Sequence, residues 1–131
     1  MHRLAREFPS RLKGVWDTKG SGLVAQWFEH SYKLRHRVVH GGYNPSRFEA
    51  EQALESVVGL ETHLFDRLAE RRMDYPRSTL MTLGPPGLKR RNLWSGKIKR
   101  FYDGPARDEA DWRESFSSWH GTFAQARISN L

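Results

Sequence analysis

The chain has 131 residues, 37% hydrophobic and 28% charged, with a net charge of +7, which allows one small domain with a thin core and excludes two ordinary ones. It contains no cysteine, which excludes disulfides, thiolate metal sites and cysteine nucleophiles, so we expect a protein of the reducing cytoplasm. Its apolar runs span only a few residues, and the sequence therefore predicts neither a membrane-spanning helix nor a secretion signal.

The N-terminal segment, residues 1–22, is interrupted by one proline and three glycines. Such residues break regular structure, because proline lacks a backbone donor and glycine is conformationally free. We therefore predict an irregular N-terminal arm over this range, with at most a short helix around Arg3–Phe8 and a turn near Leu12–Trp16.

From Leu23 onwards, apolar residues recur at spacings of three and four, which is the pattern of an amphipathic helix. This helix is predicted to end at His40, because Gly41 and Gly42 can adopt the left-handed conformation that caps helix ends. Its apolar stripe consists of Val24, Trp27, Phe28, Ser31, Leu34 and Val38.

A second helix is predicted to begin at Ser46, because Ser46 and Glu49 have the spacing of a capping box. It is predicted to run to about Arg72, before Tyr75-Pro76 stops it. Gly59 inside it lowers helix stability by about 1 kcal/mol relative to alanine, which indicates a close helix crossing. Its apolar stripe is predicted to be Leu54, Val57, Val58, Leu64, Phe65 and Leu68, with Glu61 as a polar break.

The predicted fold class is all-α, a small helical bundle. The short link between the two helices makes them an antiparallel hairpin over residues 23–75, packed through their apolar stripes. Residues 76–131 are predicted to be a basic linker, with a breaker at residues 84–87 and a brief strand-like alternation at Lys97–Tyr102, followed by a helix that packs on the same domain. That last helix carries the aromatic stripe Trp112, Phe116, Trp119 and Phe123.

The positive charge is concentrated in segments. Residues 76–102 carry seven Lys or Arg and no Asp or Glu. A block of this kind attracts polyanions over about a Debye length, roughly 8 Å at physiological salt. It is interpreted either as a nucleic-acid contact or as a solvated surface segment.

The end of the first helix concentrates residues that can carry chemistry. Residues 32–42 read Tyr-Lys-Leu-Arg-His-Arg-Val-Val-His-Gly-Gly. A structural interpretation exists, because the negative end of the helix dipole favours positive charge. Under it, His40 merely ends the helix, and Arg35 pairs with Glu29 or with the acidic second helix.

The order Arg35, His36, His40, Gly41 resembles the signature of HEPN domains, in which an Arg and a polar residue precede a His at a helix end. A Tyr three residues before the Arg, and Val-Val-His-Gly-Gly before a long helix, look like the Apea-like branch of that family. The resemblance covers about residues 23–73, the C-terminal half of such a domain.

This resemblance implies a metal-independent endoribonuclease of toxin systems or antiviral defence, in which the 2′-hydroxyl of single-stranded RNA attacks the adjacent phosphate. It implies that His40 transfers a proton, that Arg35 holds the scissile phosphate, and that His36 orients one of these groups. No metal and no cofactor is expected. Arg35 and His40 lie about 140° apart around an ideal helix, so we expect a homodimer through the 23–40 helix, as in this family.

Family members usually have one or two helices before the motif helix, and residues 1–22 are not expected to supply them. We therefore expect either the C-terminal piece of a longer protein or a misassigned start codon. A metal site on His36 and His40 is disfavoured, because Arg35 and Arg37 repel cations.

The alternative function is a non-catalytic nucleic-acid-binding or dimerisation module of a larger protein. Its aromatic contacts to unpaired bases would come from Tyr43 or Trp94. Its cationic contacts to phosphates would come from Lys33, Arg37, Arg47, Lys89, Arg90, Arg91, Lys97, Lys99 and Arg100.

Overall fold

The computed structural model describes the backbone of residues 2–104 and the side chains of residues 5–104, and this part of the chain is helical without strands. The all-α prediction is confirmed for it. The chain divides into two compact units between Leu68 and Ala69. No described helix is both long and apolar enough to cross a membrane. The predicted C-terminal aromatic helix lies outside the described residues.

The first unit contains a helix that changes type along its length. α1 (His2–Leu12) is followed by α2 (Leu23–Trp27), a π-helical turn (Phe28–Tyr32) and α3 (Lys33–Gly41). The last three segments continue into one another with right-handed helical backbone at each junction, and we call residues 23–41 the motif helix. The sequence predicted this helix to within one residue, but not its π-helical turn.

The motif helix and α4 (Arg47–Glu70) form the predicted antiparallel hairpin. Arg37 contacts Glu49 near the start of α4, whereas Leu23 lies against Gly59, further along it. A Cβ atom on Gly59 would lie 3.2 Å from the Leu23 Cδ2 atom. The close crossing expected at this glycine stays a prediction, because this contact involves only the end of the Leu23 side chain.

The apolar stripe predicted for α4 is only partly buried. Leu54 is 64% exposed, and Val57 and Val58 are also exposed, whereas Ser56 is 5% exposed. This part of the prediction was wrong, because the side of α4 that is buried here carries Ser56 and not the neighbouring valines. In the motif helix, Val24 and Leu34 are buried as predicted, but Val38 is exposed.

The N-terminal segment is more ordered than the predicted irregular arm. α1 continues through Pro9 to Leu12, and Leu12 and Trp16 are buried. Trp16 donates its indole N–H to the Lys13 carbonyl (2.7 Å), stacks on Phe8 (ring centroids 5.1 Å apart) and meets the edge of His63 (4.7 Å). The buried indole of Trp16 thus holds α1 through Phe8, although Pro9 lacks a backbone donor, and the composition of residues 1–22 does not show this contact.

The second unit contains α5 (Pro76–Thr82), α6 (Gly84–Arg90) and α7 (Gly96–Asp103), where a linker and a brief strand were predicted. The prolines at residues 85–86 lie in the first turn of α6, where a missing N–H is tolerated. Ile98 is fully buried, and Phe101 and Tyr102 pack beside it at helical spacing. The core of the unit is made of Ala69, Leu80, Leu88 and Ile98.

Candidate functional site

The C-terminal half of the motif helix is exposed. Leu34 is its last buried residue, and every residue from 35 to 41 is exposed. The helix ends as predicted: Gly42 has φ +61°, and its N–H bonds to the Arg37 carbonyl. The side chains of the two turns before the glycine cap are thus open to solvent.

His36 and His40 lie together, as their spacing predicts. Their ring centroids are 4.6 Å apart, with an angle of 47° between the ring planes. Arg35 and His40 both lie in the regular segment α3, so at about 100° per residue they remain about 140° apart around it. Within the described residues, neither Arg35 nor either imidazole forms an ion pair or a hydrogen bond.

Arg37 is held within the hairpin. Its guanidinium lies 3.1 Å from Glu49 Oε1 and 4.3 Å from the centre of the Tyr43 ring. The Tyr43 hydroxyl donates to the same carboxylate at 3.0 Å. The Arg37–Tyr43–Glu49 cluster therefore connects the end of α3 to the first turn of α4.

Glu49 also completes the predicted capping box. It accepts the Ser46 backbone N–H at 2.9 Å, and its own N–H donates to Ser46 Oγ at 3.2 Å. The pKa of Glu49 is lowered to about 2, first by this backbone N–H, then by the Tyr43 hydroxyl, with Arg37 contributing further. The carboxylate is thus ionised across the physiological range and fixes the turn that follows His40.

The π-helical turn carries a second cluster of charged and aromatic side chains. Tyr32 stacks on Phe28, with ring centroids 5.2 Å apart, and contacts Trp27 at 5.8 Å. Lys33 pairs with Glu29 and lies 5.5 Å from the centre of the Phe28 ring. The Lys33 ammonium lowers the pKa of Glu29 through this hydrogen bond. π-helical turns often occur at functional sites.

A cleft of about 520 Å³ opens on this face of the motif helix. The described residues that line it are Glu29, Tyr32, Lys33, His36 and Arg37. They recur at spacings of three and four, so they lie on one face. Glu29 and Tyr32 were not among the residues predicted from the sequence to bind a ligand. The only local signal was the spacing of Glu29 and Lys33, which is typical of an exposed helical ion pair.

The remaining cations predicted to bind phosphate are exposed or engaged in local contacts. Arg47 pairs with Glu51 on the first turns of α4. In the second unit, Lys89 lies 5.8 Å from the Trp94 ring centre, and Lys99 pairs with Asp103. Arg91 and Arg100 bond to backbone carbonyls, whereas Arg90 and Lys97 are exposed.

Residues 5–104 contain no group of three or more His, Asp or Glu side chains placed to hold a metal ion. No family model, curated protein or solved structure matches this chain.

Proposed function

We propose that the chain is a HEPN-like, metal-independent endoribonuclease acting on single-stranded RNA. One observation carries the proposal. Arg35, His36 and His40 are exposed and form no ion pair with another described residue, whereas the neighbouring cations Lys33 and Arg37 are paired with carboxylates. The three motif residues are therefore available for an external phosphate.

The proposed reaction forms a bond between the RNA 2′-oxygen and the adjacent phosphorus and breaks the bond to the 5′-oxygen. The 2′-hydroxyl loses its proton and the leaving 5′-oxygen gains one. His40 performs one of these two transfers, since imidazole can take or give a proton near neutrality, and water performs the other. Arg35 binds the phosphate and offsets the charge gained in the transition state, for which a permanently charged guanidinium is suited. His36, in ring contact with His40, positions it.

A homodimer through the 23–40 helix would bring two motifs together. The separation of Arg35 and His40 around α3 favours this arrangement, because a phosphate between two copies can meet the Arg of one and the His of the other. Val38 and Val39 are exposed on the same segment, and Leu54, Val57 and Val58 are exposed on α4. Exposed apolar side chains of this kind are suited to contact with a second copy.

The second candidate function is a non-catalytic nucleic-acid-binding or dimerisation module. It is favoured by Lys89, which lies beside the Trp94 ring within a segment of seven cations without an acid. A cation next to an aromatic ring can contact a phosphate and an unpaired base at once.

Cleavage of a panel of single-stranded RNAs by the purified chain, with chelator present, tests the enzyme proposal. Arg35→Ala and His40→Ala should each abolish cleavage while leaving the circular dichroism spectrum unchanged. Arg11→Ala and His30→Ala serve as matched controls and should cleave normally. Cleavage that persists in both motif variants would refute the proposal. Salt-sensitive RNA binding without cleavage by the wild type would instead support the non-catalytic module.

A further inference from the structure

We propose that the cleft on the motif helix binds one nucleotide of single-stranded RNA, with a guanine base against Tyr32 and its Watson–Crick edge on Glu29. This inference rests on the proposed function and names the substrate preference of the same site. The cleft would hold the nucleotide next to the reacting phosphate.

The position and the size of the cleft both fit a nucleotide. Its volume of about 520 Å³ lies within the range of small-molecule sites, roughly 300–1,000 Å³. His36 lines the cleft and is also in ring contact with His40. A nucleotide in the cleft would therefore be continuous with a phosphate at the motif.

Tyr32 supplies an aromatic wall that is held in place. Its ring stacks on Phe28 and contacts Trp27 while it lines the cleft. Bases stack on aromatic side chains in most single-strand binding sites, and a fixed ring loses little entropy when a base arrives. The π-helical turn places this aromatic cluster immediately before α3.

In the cleft, the imidazole of His36 forms no ion pair with a described residue and can bond to the phosphate of the same nucleotide. Lys33 and His36 are one turn of the helix apart or less and both are exposed. Arg37 is held by Glu49 and Tyr43, so it forms a fixed side of the cleft. The lining thus combines an aromatic wall with an imidazole open to a phosphate, beside two cations that are paired with carboxylates.

Glu29 distinguishes guanine from the other bases. Guanine presents two adjacent donors, N1–H and N2–H₂, on its Watson–Crick edge, and a carboxylate can accept both. Adenine, cytosine and uracil place an acceptor beside the donor, which would face the carboxylate unfavourably. Lys33 bonds to Glu29 Oε2 and favours the ionised form, and the carboxylate keeps further lone pairs for a base.

The test is calorimetric titration of the full chain with the 5′-monophosphates of guanosine, adenosine, cytidine and uridine. These ligands have no scissile bond, so the result is independent of cleavage. We expect guanosine monophosphate to bind at least about tenfold more tightly than the others. Tyr32→Leu should weaken its binding about tenfold, whereas Tyr32→Phe should not. Glu29→Gln should remove the preference for guanine.

Glu51→Gln is the matched control, because Glu51 forms the same kind of exposed helical ion pair with Arg47 and should leave binding unchanged. Equal affinity for the four nucleotides, or a guanine preference that survives in Glu29→Gln, would overturn the inference.

A hexa-adenosine RNA with one internal guanosine should compete with the monophosphate better than hexa-adenosine alone. Failure to do so would show a site for free nucleotides and would also overturn it. RNA cleavage without a guanine preference would refute this inference alone, and guanine binding without cleavage would refute the ribonuclease alone.

Discussion

The guanidinium of Arg37 lies 4.3 Å from the centre of the Tyr43 ring, across the turn that ends the motif helix. The same guanidinium is paired with Glu49, and the Tyr43 hydroxyl donates to that carboxylate. The turn containing Gly42 is thus fixed from both helices. His40 lies directly before this turn. The Arg37–Tyr43–Glu49 cluster therefore fixes the backbone next to His40 without contacting its side chain.

Replacing Glu49 with Gln should destabilise the fold at neutral pH and reduce its acid sensitivity. The pKa of Glu49 is lowered from 4.5 to about 2, with the Ser46 backbone N–H as the largest cause and the Tyr43 hydroxyl as the next. A carboxyl with a lowered folded-state pKa stabilises the fold above about pH 4.5, and this contribution is lost as the pH falls towards 2. In urea unfolding, the wild type and the variant should therefore differ at pH 7 and converge near pH 2.

The control for this experiment is Glu51→Gln. The carboxylate of Glu51 pairs with Arg47, whose side chain is 93% exposed, so the pair should contribute little. A difference between the wild type and Glu49→Gln that stays constant from pH 7 to pH 2 would contradict the proposed role of the carboxylate.

The two glycines at the end of the motif helix should respond to alanine in opposite directions. Gly42 has φ +61°, and an alanine there is expected to destabilise the fold by about 1–2 kcal/mol. Gly41 is the last residue of α3, and a Cβ atom on it would meet nothing within 4 Å. Gly41→Ala should therefore stabilise by up to about 1 kcal/mol. Chemical denaturation measures both, and a loss of equal size in both variants would argue against the left-handed cap.

Gly59 should tolerate alanine but not a large side chain. An added Cβ atom would lie 3.2 Å from Leu23 Cδ2, which is the mobile end of a partly exposed side chain. Gly59→Ala should accordingly be neutral or stabilising by up to about 1 kcal/mol, because alanine favours the helix. Gly59→Leu should lower the urea midpoint, since the larger side chain would force α4 and the motif helix apart. An increase in the midpoint with leucine would show that the crossing is not close.

Trp16→Ala should destabilise the fold more than the glycine and glutamate substitutions above. Its side chain is 5% exposed, and truncation of a buried tryptophan removes about 3–5 kcal/mol, a large part of the stability of a small domain. Val15→Ala is the neighbouring control, because Val15 is 71% exposed and should change stability by less than about 0.5 kcal/mol. Thermal unfolding followed by circular dichroism compares them. Similar melting temperatures for both variants would place Trp16 outside the core.

The helix boundaries around the candidate site could be predicted from the sequence. Ser46 and Glu49 form the capping box that their spacing indicates, Gly42 adopts the left-handed conformation, and Tyr75-Pro76 separates α4 from α5. These signals are hydrogen bonds and backbone preferences among residues within about four positions of one another. Such interactions depend only on neighbouring residues, so a short stretch of sequence is enough to predict them.

The burial pattern and the partners of the charged residues required the tertiary structure. Trp16 is buried, although it lies in the predicted irregular arm, and Leu54 is exposed against the prediction. Arg37 pairs with Glu49, which lies twelve positions away in the sequence. The same holds for the cleft, which Glu29 and Tyr32 of the π-helical turn line together with His36 of α3. The spacing of hydrophobic residues indicates which of them could be buried. The apolar surface area that each one actually buries depends on elements that are distant in the sequence. The sequence alone therefore determined where the motif helix ends and which side chains it presents there, and packing decided which of them are tied down and which remain open to a ligand.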